Sequence, residues 1–163
     1  MTGRRDIEAF RATLGRFPTG VAVVASRDPA GRPIGMTVNS FTSVSLDPLL
    51  ILVCIDRDAT SHASILASGS FSVNVLAGDQ EGVARRFATA PADTRFEGVA
   101  WREGPEGLPL LEGVVAWLAC SVHAVHAAGD HSIVVGHTDA WDACGGSPLV
   151  FHRGAYVALQ EPA

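Results

Sequence analysis

Between Thr37 and Ser45 the chain packs five hydroxyls and one amide into nine residues, Thr37-Val38-Asn39-Ser40-Phe41-Thr42-Ser43-Val44-Ser45, then passes Leu46-Asp47-Pro48 into the apolar run Leu49-Leu50-Ile51-Leu52-Val53-Cys54-Ile55. Short donors and acceptors held on a sheet edge against a core strand are what a flat heteroaromatic ligand with a polar rim needs. A flavin has that shape, with a pyrimidine edge of acceptors and a donor and an apolar benzene end. In that reading Asn39, Ser40, Ser43 and the neighbouring backbone meet the rim. The plain alternative is a Ser/Thr-rich strand that faces water.

A second candidate follows the apolar run. Asp56-Arg57-Asp58-Ala59-Thr60-Ser61-His62-Ala63-Ser64 leaves a strand and opens a helix, so backbone N–H groups and the positive dipole end face outward together. Thr60 and Ser61 add hydroxyls for a phosphate, and Arg57 or the Arg85-Arg86 pair completes the charge match. An ordinary N-cap explains the same residues. His131 lies in a Gly129-Asp130-His131 turn, where the aspartate can fix one imidazole tautomer and leave the other nitrogen for a ligand; a solvated turn residue fits equally. His123 and His126 are three apart on a presumed strand and point to opposite faces, so no metal site is expected. Neither a Gly-x-Ser-x-Gly elbow nor a G-x-G-x-x-G turn occurs, which removes two common catalytic and dinucleotide motifs.

The elements that must position these groups read mostly as strands. Ile7, Phe10, Leu14 and Phe17 recur at helical spacing and predict an amphipathic helix ending at Pro18. Gly20–Ser26 predicts a strand, followed by an Asp28-Pro29-Ala30-Gly31 turn. The polar segment and Leu49–Ile55 predict two more strands joined at Asp47-Pro48. Thr60 or Ser61 caps a helix over His62–Ala67, Ser70–Leu76 is a strand, and Glu81–Ala88 a second short helix. Residues 89–112 are rich in Pro, Gly and charge and predict loops with brief strands. Gly113–Val125 is a long strand apolar on both faces, covered on both sides or lining a subunit contact. Gly129-Asp130 turns it into His131–Ala140, and Leu149–His152 and Ala155–Leu159 close the chain. Many short antiparallel strands, with no repeat and no linker, predict one mainly β domain over residues 1–163: a barrel with accessory helices.

The 163 residues carry a formal charge of −5 with no basic cluster, which argues against a nucleic-acid binder. The cations are twelve arginines and no lysine. Cys54, Cys120 and Cys144 show no paired spacing, and the first two sit in apolar runs as small hydrophobes, which favours a reducing compartment. Met1–Glu8 has paired arginines without an apolar stretch behind them, and no run approaches the roughly 20 apolar residues of a membrane span. A soluble cytoplasmic protein is expected.

Several blocks together resemble the short-chain flavin reductases, the small components of two-component monooxygenases. They are Phe17-Pro18-Thr19-Gly20-Val21, the segment Gly35–Pro48, Phe71-Ser72-Val73-Asn74-Val75-Leu76, Arg86-Phe87-Ala88, Arg95-Phe96, Gly129-Asp130-His131 and Pro148-Leu149-Val150, and they span nearly the whole chain. The resemblance implies an antiparallel split β-barrel of the FMN-binding type, with the flavin at a homodimer interface. It implies that Thr37, Asn39, Ser40 and Ser43 line the isoalloxazine, counting Met36, Val38, Cys54, Asp56 and Arg95 among the cofactor-binding residues. Thr60-Ser61-His62 and Arg86-Phe87-Ala88 would hold the ribityl phosphate, and His131 would sit at the nicotinamide as the catalytic group. The implied reaction is hydride transfer from NADH or NADPH to FMN or FAD, with reduced flavin passed to a separate monooxygenase. Other readings are a non-catalytic flavin-binding or electron-transfer barrel, a pyridoxine phosphate oxidase-like enzyme, and a structural dimeric barrel.

Overall fold

The computed structural model describes residues 3–157 and Leu159; Met1, Thr2, Ala158 and residues 160–163 lie outside it. The helix at the N-terminus, α1 (Arg4–Leu14), is followed by β1 (Thr19–Gly20), β2 (Ala22–Arg27), β3 (Pro33–Val38), β4 (Thr42–Leu46) and β5 (Leu49–Asp56). Then come α2 (His62–Ser68), β6 (Ser70–Val75), α3 (Glu81–Thr89), the short β7 (Trp101–Glu103) and β8 (Pro109–Leu111), the long hairpin β9 (Ala116–Ala128) and β10 (His131–Ala143), and β11 (Val150–His152) with β12 (Ala155–Val157). One seven-stranded antiparallel sheet in the order β3-β2-β6-β9-β10-β5-β4 dominates. A three-stranded sheet, β1-β11-β12, and the β7-β8 pair flank it.

The edge strands of the large sheet, β3 and β4, are consecutive in the chain and separated only by Asn39, Ser40 and Phe41. Four peptide steps span at most about 14 Å, so the two edges must approach and the sheet must roll up. The rolled sheet stays open at one seam, and that seam is the Asn39–Phe41 crossing. This is the mainly β, split-barrel architecture expected from the sequence.

Alternation along β2 builds two cores. Ala22 and Val24 point inside the roll with Val38, Val53, Ile55, Ile65, Phe71 and Val134. Val21, Val23 and Ala25 point outward beneath α3 and β8, with Ala84, Phe87, Leu111 and Leu149. Both faces of the strand are therefore covered, which a β-branched run tolerates. Between the layers Asn74 is fully buried: its Nδ2 donates to Val23 O (3.2 Å) and Ser72 Oγ (3.1 Å), and its Oδ1 accepts Leu111 N–H (2.8 Å). That amide straps β8 to the sheet.

Three expectations need correction. Helix α1 stops at Leu14, before Pro18, because Gly15 terminates it and turns at Arg16 and Phe17 carry the chain away; none of its residues is buried. The long strand begins at Ala116 rather than Gly113, since Gly113 adopts φ +74°, a left-handed turn that cannot continue a strand. It is covered where it crosses β6, at Ala119 and Cys120, and beyond Val122 it leaves β6 and stays paired with β10, whose other edge pairs with β5. Last, Ser61 is the N-cap of α2 by position but not by side chain: it is helical itself (φ −84°, ψ −14°) and makes no capping hydrogen bond. The three cysteines are free, and burial pushes the Cys120 thiol up to about 11. Among the described residues no helix is long and apolar enough to cross a membrane.

Replacing Asn74 with Leu orphans the Leu111 N–H in a dry layer, and unfolding stability is expected to fall by about 1–3 kcal/mol. Chemical denaturation measures it; a loss below about 0.5 kcal/mol would contradict the strap.

Candidate functional site

The seam is stitched by one hydroxyl. Ser40 Oγ accepts the Cys54 N–H (2.9 Å) and donates to the Cys54 carbonyl (3.1 Å), taking the place of a backbone ladder rung beside β5. Ser40 thus locks the crossing segment to the sheet, and its side chain is engaged there. Cys54 pairs with Ile133 on β10, and two residues along the same register Asp56 pairs with His131. The Gly129-Asp130-His131 turn therefore lies about 7 Å along the strands from the stitched row. His131 Nδ1 meets Asp130 Oδ1 at 2.8 Å, and that hydrogen bond holds the Asp130 carboxyl below its ordinary range. With Nδ1 engaged, Nε2 is left for another partner.

A second knot forms at Gly35. Its carbonyl accepts Ser61 Oγ (3.3 Å) from the start of α2 and Arg95 Nη1 (2.7 Å) from the loop after α3. A Cβ here would stand 3.0 Å from Phe87 Cε1 and 3.1 Å from the Val24 carbonyl, so any side chain needs the ring or the β2 backbone to give by a few tenths of an ångström. Arg95 also donates from Nε to Ala90 O (3.0 Å), and burial pulls its guanidinium below the ordinary range. Arg86 donates to the carbonyls of Arg95 (2.9 Å) and Thr94 (2.5 Å), organising the same loop. Phe87 is fully buried with its ring edge-on to Phe96. Thr37 Oγ1 donates to Ala84 O (2.7 Å), which fastens α3 along β3.

These contacts sort the residues singled out from the sequence. Ser40, Ser61, Arg86, Phe87, Arg95 and the Thr37 hydroxyl hold elements together. His62 Nε2 lies 2.9 Å from Ser132 Oγ, pinning α2 to β10 beside His131. Met36 and Val38 pack in the inner core, and Asp56 Oδ1 accepts the Asp58 N–H (2.9 Å) in a local turn. Thr60 instead lines a cleft with Arg32 and Ser64, but Asp28, Asp93 and Glu97 share it, and Arg32 is paired to Asp28 at 2.7 Å. That cleft is not a cationic cradle. Ser43 faces away from the seam into an apolar groove with Leu46, Leu50 and Trp141.

Thr37, Val38, Asn39 and Ala88 do come together, in a cleft of about 160 Å³ whose other walls are Val21, Phe151 and Tyr156. Asn39 is exposed there, with no hydrogen-bond partner among the described residues. Asn39 and Phe151 also border a larger groove of about 690 Å³ running past Thr19 to α1. Thr19 Oγ1 is buried without a partner, a condition buried hydroxyls rarely keep. Phe151 and Tyr156 carry no local mark of this cleft in the sequence: they lie more than a hundred positions from Asn39, and the usable signal is the Arg153-Gly154 turn that folds them into a hairpin.

Comparison with known proteins places this geometry. Residues 14–160 match the model of the flavin reductase like domain. A flavin reductase of Pseudomonas putida is 47% identical over 152 residues, covering 93% of this chain and 89% of its own length. The reductase subunit Stc3 of a stachydrine N-demethylase from Rhizobium meliloti is 44% identical, covering 94% of this chain. The NADH:FAD oxidoreductase SgcE6 of Streptomyces globisporus, solved with NAD and FAD fragments, superposes with a TM-score of 0.91 at 38% identity over 100% of this chain and 98% of its own. The chain spans 66% of the length of Stc3 and 48% of another Rhizobium meliloti relative.

Gly35→Ala should force the buried Phe87 ring or the β2 backbone to move, costing about 1–3 kcal/mol of stability and displacing Thr37. Thermal or denaturant unfolding checks this; wild-type stability in the variant would show that the knot is looser than drawn.

Proposed function

The chain belongs to the flavin reductase like domain family, and from that premise we propose that it transfers a hydride from NADH or NADPH to FMN or FAD, delivering reduced flavin to a separate monooxygenase. One observation carries the reading: an unpartnered amide, Asn39, set between aromatic and small apolar walls at the seam. The donor set suits the group. Asn39 offers both a donor and an acceptor to a polar ring edge, while Val21, Ala88, Phe151 and Tyr156 suit its flat apolar remainder. A flavin bound in the cleft would supply the hydride-accepting chemistry.

The protein's share is position and charge. The stitched Ser40 and the Gly35 knot fix the cleft walls, so that juxtaposition of two rings contributes up to about 7–11 kcal/mol toward the barrier. Asp130 orients His131, whose Nε2 accepts a carboxamide N–H in the neutral ring and donates to a developing negative charge in the imidazolium. Arg86, Phe87, Arg95, Ser61 and His62 act from behind, as positioning residues. Relatives named as an NADH-dependent flavin reductase and an NADH:FAD oxidoreductase favour NADH as the donor, and relatives named as monooxygenase reductase components support a partner oxygenase.

The same reading takes the protein as a homodimer. The groove over β4, β5 and β10 leaves Leu46 86% and Trp141 60% exposed, an apolar surface that a second copy would cover. Trp141→Glu should convert a dimer into monomers in light scattering; a wild-type monomer would refute the pairing.

The deciding assay is NADH and NADPH oxidation by purified protein with FMN, FAD and riboflavin as acceptors. Flavin binding without nucleotide oxidation would leave a carrier module instead. His131→Ala is expected to raise KM for the nicotinamide nucleotide and slow turnover about 10- to 100-fold, within the range of a positioned general acid or donor, while flavin still binds. Unchanged kinetics would remove His131 from the site.

A further inference from the structure

The larger groove holds charge that the flavin reading leaves unused. Arg11 and Arg153 stand among its lining residues, with Leu14, Phe17 and Phe151 supplying apolar surface, and it opens at Asn39 into the seam cleft. Half of the twelve arginines are engaged: Arg4 with Glu8, Arg27 with Glu103, Arg32 with Asp28, Arg85 with Glu81, and Arg86 and Arg95 with loop carbonyls. The guanidinium groups of Arg11 and Arg153 have no hydrogen bond or ion pair among the described residues. Arg11 is close enough to help hold the Asp130 carboxyl low, which ties this groove to the His131 turn.

The backbone adds an independent sign. Arg153 has φ +53° and Gly154 φ +82°, the doubly left-handed turn between β11 and β12. Asn or Gly is the usual choice at its first position, and a long cationic side chain there is conformationally disfavoured. Such a residue persists where its side chain has a use. The turn is also docked: the Arg153 N–H donates to Gly15 O (2.9 Å), and the Gly15 N–H donates to Arg11 O (2.9 Å). A continuous backbone relay therefore sets the spacing between the two arginines.

Two unpaired planar forks beside an apolar surface, opening onto a site for a flat ring, fit a hold on the two singly charged phosphoryl groups of a diphosphate bridge. We propose that Arg11 and Arg153 clamp the diphosphate of a dinucleotide whose ring reaches the Asn39 cleft. The inference rests on the flavin-reductase reading for the identity of that ring. The diphosphate belongs either to the nicotinamide donor or to FAD, and the measurement separates them.

Arg153→Asn and Arg11→Gln are assayed for KM of NADH with FMN as acceptor, and for dissociation constants of FAD, FMN and ADP-ribose by calorimetry. Arg153→Asn should keep or raise the melting temperature, because asparagine relaxes the turn, yet weaken one dinucleotide about tenfold or more, as for loss of one charge-assisted hydrogen bond. FMN, which has no diphosphate bridge, should move less than twofold. A rise confined to KM for NADH, with weaker ADP-ribose binding, assigns the clamp to the donor; a rise confined to FAD assigns it to the flavin. Unchanged NADH, FAD and ADP-ribose values in both variants overturn the clamp, as does an equal loss for FMN. Wild-type protein that binds ADP-ribose through these arginines but oxidises no nucleotide with any flavin would sink the reductase reading and leave the clamp standing.

Discussion

Three residues connect the two edges of a seven-stranded sheet, and that shortness governs the molecule. With Asn39, Ser40 and Phe41 as the only link between β3 and β4, the sheet must curl until its edges nearly meet. It cannot close, because the crossing segment itself occupies the gap. Ser40 resolves the resulting hydrogen-bond deficit by presenting its hydroxyl to both backbone groups of Cys54. Asn39 is then held at a fixed place on the rim with its amide outward. A rigid polar group at the split of a barrel follows from chain length and hydrogen-bond accounting, before any ligand is considered.

The second layer of order is the Gly35 carbonyl, where α2 and the loop after α3 converge on β3. Many polar residues with the right chemistry to touch a ligand are used to hold this scaffold. Ser61 is 1% exposed and points inward, and the arginines at 86 and 95 donate to the carbonyls of Ala90, Thr94, Arg95 and Gly35. Such a division of labour suits hydride transfer between two ring systems, where fixed geometry matters more than an acid–base pair. It also explains why the exposed cations worth following, Arg11 and Arg153, lie outside the knot.

Much of the architecture was legible in the sequence because local rules decided it. The period of α3, the punctuation at Gly129-Asp130 and the run into β5 each agree with the fold to within a few residues. The helix at the N-terminus was legible as a helix but not in its environment: its periodic face, which continues to the 76% exposed Phe17, has no cover within one chain. Gly113 misled because a glycine beside β-branched residues reads as strand until its positive φ is known. In the candidate site, Thr37–Ser40 is legible as a polar segment, but the hydrogen bonds of its hydroxyls are not, since a serine's partner across fourteen residues leaves no local pattern. The walls at Val21, Phe151 and Tyr156 depend on the three-stranded β1-β11-β12 sheet, a long-range pairing that no window of sequence contains.

If the flavin ring binds at the seam, the Asn39–Phe41 crossing is the backbone it must touch. Hydrogen–deuterium exchange with and without saturating FMN tests it directly. Protection should rise in peptides covering Thr37–Phe41 and the β11–β12 hairpin, with little change along the outer strand β4. Slower exchange elsewhere, with Thr37–Phe41 unaffected, would contradict the account.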